Sequence, residues 1–270
     1  MKHRLSAWPI LATLAVILLV GGYFLRGSAR EAWQELNRPD VPAAVGYQPT
    51  PTPSAPTTGT AQAAPTPSPK PTTPAPTKGL PKEVNLDVPF MLQAPKQNWV
   101  QPFEDACEEA SAFMLDAFFD GRSQDFGPDE AEGLILDLAA FEDVEYGHNK
   151  DTTSEEVVHT LQEYFGYRNV SIKPIVSADD IRRELAAGRP VIVPAHGKEL
   201  LNPNFRNGGP VYHMLVIKGY RADGSWITND PGTRRGKDYV YPEERLMDAI
   251  HDFNGGDVPN GKKVMITVLP

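Results

Sequence analysis

Between residues 48 and 79 the chain is built almost wholly from Pro, Thr, Ala and Ser, with ten prolines among them. Such a segment has too little apolar surface to offset the entropy lost on ordering it, and proline keeps it extended. It therefore fixes where along this chain a fold can form and where it cannot. Its composition is that of a semi-rigid stalk suited to O-glycosylation. On its far side, residues 80–270 are enough for one globular domain with a filled core, which needs roughly 100–200 residues. On its near side, residues 5–25 form an uncharged apolar run long enough to span a bilayer as a helix. Lys2, His3 and Arg4 precede that run, which predicts a cytoplasmic N-terminus. No small-x-small cleavage site follows before Arg26, so a signal anchor is expected in preference to a cleaved signal peptide. The sequence thus predicts three parts. Residues 1–26 are a cytoplasmic tip and transmembrane anchor, residues 27–79 an extracytoplasmic linker, and residues 80–270 the folded domain. Within the linker, residues 28–37 suit a short helix.

The net charge is −9, with no basic stripe, which argues against a nucleic-acid partner. In the folded part an extended stretch is expected over residues 84–93, until proline breaks its alternation. Apolar residues then recur at Ala110, Phe113, Met114, Ala117 and Phe118, the period of a helix that Gly121 stops. Further helices are predicted over 128–140, over 154–165 with Thr153 and Glu156 as its capping box, and from Ser177 to Gly188. The period then switches to that of strands, over 190–195, 212–220, 225–229, 237–241 and 263–269, with a helix over 242–253. Helices first and antiparallel strands second define an α+β class.

Cys107 is the only cysteine, and it falls in the first turn of the first helix. Free backbone N–H groups and the helix dipole there favour a thiolate. An exported chain with one cysteine has no internal disulfide, and oxidising surroundings make an idle thiol a liability. Burial as an inert apolar residue is the alternative. A thiol nucleophile needs a base, and the base an orienting group. His213 begins the strongest predicted hairpin strand, and Asp230 ends its partner, before Pro231 and Gly232. A hairpin turning at Asp223 and Gly224 brings those strand ends together, so His213 and Asp230 are expected to be neighbours. Packed against Cys107 they would form a Cys–His–Asp triad. The alternative for Asp230 is to cap its turn, leaving Asn229 to orient the base. An oxyanion hole would draw on the Cys107 N–H and on a glutamine amide, Gln93 or Gln101. His196 is read as a loop or structural histidine, and Trp99 and Trp226 as core or cleft wall. A zinc site from Cys107, His213 and Asp230 lacks paired ligand spacing, and neither metal nor organic cofactor is expected. The Gly- and Asn-containing loop over 197–209 is read as a mobile lid.

Val88-Pro-Phe-Met-Leu-Gln93, Cys107-Glu-Glu-Ala-Ser111, Gly-Pro-Val-Tyr-His213 and Asn229-Asp-Pro-Gly232, in that order, resemble a papain-like cysteine peptidase. The set is similar to the bacteriocin-leader-processing (double-glycine) peptidases in their stand-alone bacterial branch, over residues 86–253. The resemblance implies a papain-like fold, Cys107 as nucleophile, His213 as general base, Asp230 as orienting acid and Gln93 as oxyanion donor. Gln101, six residues before the cysteine, has the spacing of papain-like enzymes generally, and Gln93 is preferred. Transporter-linked members carry a membrane bundle and an ATPase after the peptidase; this chain carries neither, so their leader substrate is not carried over. The expected function is peptide-bond hydrolysis outside the cytoplasm, on a peptide or protein substrate associated with the cell surface or wall, by a domain held to the membrane. A catalytically silent peptide- or wall-binding module and a transglutaminase-type acyltransferase are the alternatives.

Overall fold

The computed structural model describes Ala32, residues 35–49 and residues 79–270. The apolar run over 5–25 and nearly all of the Pro/Thr stretch lie outside the described residues. Among those described, no helix is long and apolar enough to cross a membrane. The chain divides into Met1–Asp40, in which Ala32, Glu35 and Leu36 are helical, and Val41–Pro270.

The second unit starts earlier than composition suggests. Val45 pairs with the chain at Leu86, its N–H donating to the Asn85 carbonyl at 2.9 Å and its carbonyl accepting from Asp87 N–H at 2.8 Å. Tyr47 sets its ring edge-on to Phe118 and Phe119. These residues sit in the stretch counted as linker, yet two backbone hydrogen bonds at Val45 and the Tyr47 ring dock them.

The helix over Cys107–Phe119 (α1) is the centre of the core: every residue except Asp116 is buried. Its sequence has no β-branched residue and no glycine, so propensity and burial agree. It ends ahead of Gly121, as its pattern predicts. The next helix, Pro128–Glu145 (α2), runs beyond the predicted 140 because no breaker appears before Gly147. Ser154–Glu163 (α3) begins on the expected capping box: Thr153 Oγ1 accepts from Glu156 N–H at 3.2 Å, and Glu156 Oε2 accepts from Thr153 N–H at 2.7 Å. The fourth helix, Ala178–Ala186 (α4), follows Ser177.

The strands are Val84–Asn85 (β1), Asn169–Pro174 (β2), Val191–His196 (β3), Tyr212–Tyr220 (β4), Trp226–Asn229 (β5), Tyr239–Tyr241 (β6) and Val264–Leu269 (β7). They form one antiparallel sheet in the order β2-β7-β3-β4-β5-β6, with β1 also against β4. The α+β class is therefore observed. Strand β2 is not evident in the sequence, since its burial is partial and it ends in proline at a sheet edge. The opening strand stops at Asn85. Beyond it the backbone bonds to scattered partners, among them Lys218 O, Asp125 Oδ1 and Pro231 O, and Pro89 has no N–H for a ladder. The helix predicted over 242–253 is Glu243–Ala249 (α5); Ile250 leaves it to bridge Ala195.

Two details of β4 position the site. Gly219 lies under β1, where an added Cβ would stand 2.2 Å from the Val84 carbonyl oxygen. The pairing of β4 with β5 also slips by one residue between Ile217 and Gly219, leaving Lys218 as a bulge.

Candidate active site

Strand β4 is buried along its whole length, and His213 is its second residue. The pairing Val216↔Asn229 sets Asp230 opposite Leu215, on the same face as His213. Without the Lys218 bulge the register from Tyr220↔Trp226 would carry through, and Asp230 would face the other side of the sheet. With it, His213 Nε2 lies 2.8 Å from Asp230 Oδ1, both side chains fully enclosed.

Asp230 is saturated. Its Oδ1 also accepts from Gly232 N–H at 3.0 Å, and its Oδ2 accepts from Tyr241 O–H at 2.6 Å and Asn202 Nδ2 at 3.4 Å. Burial alone would raise this carboxyl, but the His213 charge and the bonds from His213, Tyr241 and Gly232 hold it below the usual range. Tyr241 is pushed the other way, well above an ordinary phenol, by burial and by the Asp230 charge. Because Nε2 is committed to the carboxylate, Nδ1 is left as the lone-pair nitrogen, and it has no hydrogen-bond partner among the described residues. Phe205 stands edge-on to the ring at 5.2 Å between centroids. Gly232 completes the enclosure: an added Cβ would come 3.0 Å from His213 Cε1 and 2.9 Å from the Phe205 ring.

Helix α1 packs on β4 and places the Cys107 sulfur near the Met214 N–H, but among the described residues the sulfur makes no hydrogen bond to His213, whose Nδ1 has no partner. The thiol is 4 % exposed, and Sγ lies 2.9 Å from Glu108 Oε2. Burial, then the charge and hydrogen bond of Glu108, push the thiol well above its usual range, against the Met214 N–H. The depressed thiol expected from the helix start is thus reversed in this arrangement. Terminal N–H groups stabilise a thiolate modestly, whereas desolvation and a carboxylate at contact both oppose it strongly.

A cleft of about 260 Å³ opens in front of His213, lined by Gln93, Trp99, Glu104, Phe205, Arg206 and Gly232 among others. The Arg206 guanidinium lies over the Trp99 ring at 5.4 Å. Gln93 is buried, and its Nε2 donates to the Phe103 and Glu104 carbonyls at 3.2 and 3.0 Å. Its own N–H reaches the Pro231 carbonyl, so Gln93 joins the loop before Cys107 to the turn after Asp230. Gln101 is exposed and turned to Asp105. Asn229 is occupied elsewhere: its Nδ2 donates to the Val88 and Pro89 carbonyls and its Oδ1 accepts from Asp238 N–H. His196 ends β3 near Glu199, and Trp226 is core. In the loop read as a lid, Leu200 and Asn202 are buried, while Phe205, Arg206, Asn207 and Gly209 line the cleft. Asn202 and Tyr241, which hold Asp230, carry no sequence motif that points to them.

A model of the Peptidase_C39 like family matches residues 85–253, which include all of these side chains. The chain belongs to this family. The resemblance to papain-like C39-type cysteine peptidases implied by the four motifs is met. Among solved structures, one described as a C39-like peptidase from Bacillus anthracis is similar at 16% identity, covering 70% of this chain and 98% of that one, with a TM-score of 0.46. A prointerpain A fragment from Prevotella intermedia is similar at 16% identity, covering 72% and 74%, with a TM-score of 0.43. No curated protein matches the chain. The assignment rests on the family model.

Proposed function

We propose that the protein is a membrane-anchored cysteine peptidase acting outside the cytoplasm, with Cys107 as nucleophile, His213 as general base and Asp230 as its orienting acid. The observation that carries this is the buried His213–Asp230 pair at 2.8 Å, with Nδ1 left without a hydrogen bond and His213 lining the cleft. In the reaction, Nδ1 takes the thiol proton and the sulfur bonds to the amide carbonyl carbon. The tetrahedral oxyanion is stabilised by the Cys107 N–H and the Gln93 amide. The C–N bond then breaks, the amine leaves with the proton from His213, and a thioester remains. Water attacks that thioester with His213 again as base, releasing the acid and the thiol. For Gln93 to serve as donor, its Nε2 must share a hydrogen now given to the Phe103 and Glu104 carbonyls. The residues at 5–25 supply the anchor, and peptide bonds of surface- or wall-associated proteins are the substrate class; peptidoglycan stem peptides come second.

One observation favours a second reading, a silent peptide-binding module: the thiol is 4 % exposed and bonded to a carboxylate. Incubating the full chain with a peptide library and identifying new amino termini by mass spectrometry separates the two. Cleavage by the wild type, absent in Cys107→Ala and in His213→Ala, is the expected result. Binding of peptides without any new terminus would favour the silent module, and amine incorporation with ammonia release would favour transfer.

A further inference from the structure

The hydrogen bond that the sulfur makes is to Glu108, and the base Nδ1 is left without one. Glu108 is the next residue on α1, in the turn where an acidic side chain ordinarily faces water. Here it is 2 % exposed and turned inward, with Oε2 on the sulfur and Oε1 without a partner. We propose that Glu108 is a positioning residue for the nucleophile: its Oε2 accepts the Cys107 S–H and holds the thiol in place until that contact is broken. This rests on the reading of Cys107 as the nucleophile.

The surroundings of Glu108 support it. Glu109 lies on the same helix, Glu142 faces it from α2, Asp151 from the loop that follows, and Tyr212 from β4. Lys150 and His148 act beyond Asp151, on that carboxylate. Burial, with the Asp151 and Glu142 charges behind it, raises the Glu108 carboxyl well above its usual range. Once Glu108 does ionise, its charge stands 2.9 Å from the sulfur and opposes a second charge there. The thiolate therefore forms only where the Glu108 contact is broken or its charge is absent.

The test is the pH profile of Cys107 alkylation by iodoacetamide, read by mass spectrometry on the full chain, for wild type, Glu108→Gln, Glu108→Asp and His213→Ala, with a thermal melt of each. Glu108→Gln keeps the shape and removes the charge, and its alkylation midpoint is expected about one pH unit lower, a rate about tenfold higher at any pH below it. Glu108→Asp draws the carboxylate back by one methylene and is expected to lower the midpoint less. If Glu108→Gln does not fold, the Asp variant decides: a lowered midpoint supports the proposal and an unchanged one overturns it. A midpoint unmoved by either Glu108 variant but moved by His213→Ala overturns the role of Glu108 and leaves the nucleophile reading standing. An ordinary thiol profile in all four proteins sinks that reading, and the proposal with it.

Discussion

Asp230 shows what a single carboxylate must have around it to orient an imidazole. Four donors from His213, Gly232, Tyr241 and Asn202 converge on its two oxygens, so it stays charged despite complete burial. Replacing it by Asn keeps the volume but presents an N–H where His213 needs an acceptor, which favours the wrong tautomer. Asp230→Asn is expected to lower kcat by about 10⁴-fold, the scale found for that change in a Ser–His–Asp site, as checked by steady-state kinetics on a cleaved peptide. The acid limb follows from the same shift. A carboxyl depressed on folding contributes stability that is present above its unfolded pKa, about 3.9. That contribution is lost as pH falls through the lower folded value, so wild-type Tm should drop on acidification below about pH 4 more steeply than that of Asp230→Asn. The positions of His213 and Asp230 were legible because a hairpin signature fixes strand ends. Asn202, Tyr241 and Glu108 were not, since each is defined by a partner remote in sequence or by which way one side chain turns.

Strands and helices carry the next layer. Turn chemistry at Asp223 and Gly224 told which strands pair, but the Lys218 bulge decides which face they share, and a bulge leaves no local mark in a run as apolar as Met-Leu-Val-Ile-Lys-Gly-Tyr. Gly219, next to that bulge, admits β1 within contact of β4. Gly219→Ala would force backbone apart and is expected to cost about 1–3 kcal/mol, measured as a lower Tm. The helices were legible from caps and period, whereas the short, half-exposed β2 needed its partner β7 to exist at all. Between α1 and α2, Glu109 and Glu142 are both buried, and burial with the Glu142 charge raises the Glu109 carboxyl. Burial raises Glu142 to about 8. For an acid raised on folding, the native state holds more protons than the unfolded chain, so stability is lost as pH rises from the unfolded value, about 4.3, through that folded one. Tm is expected to decline between pH 5 and 9, and Glu142→Gln to flatten the decline; an equal slope in both proteins would place the effect elsewhere.

At the scale of the whole molecule, composition separates an apolar run, a Pro/Thr-rich stretch and a domain. Val45 pairs its backbone with the chain at Leu86 and Tyr47 packs on Phe118 although their neighbourhood reads as linker. The anchor is expected to hold the full chain in the membrane pellet through an alkaline carbonate wash, and a chain beginning at residue 27 to be released; release of both would remove the anchor from the account. The central claim, however, is chemical. It is tested most directly by treating the full chain with a peptidyl fluoromethyl ketone and reading the intact mass and the modified residue. One adduct on Cys107, absent in His213→Ala and blocked by excess peptide substrate, is predicted. No adduct on the wild type, or equal labelling without His213, would contradict a nucleophile activated by the His213–Asp230 pair.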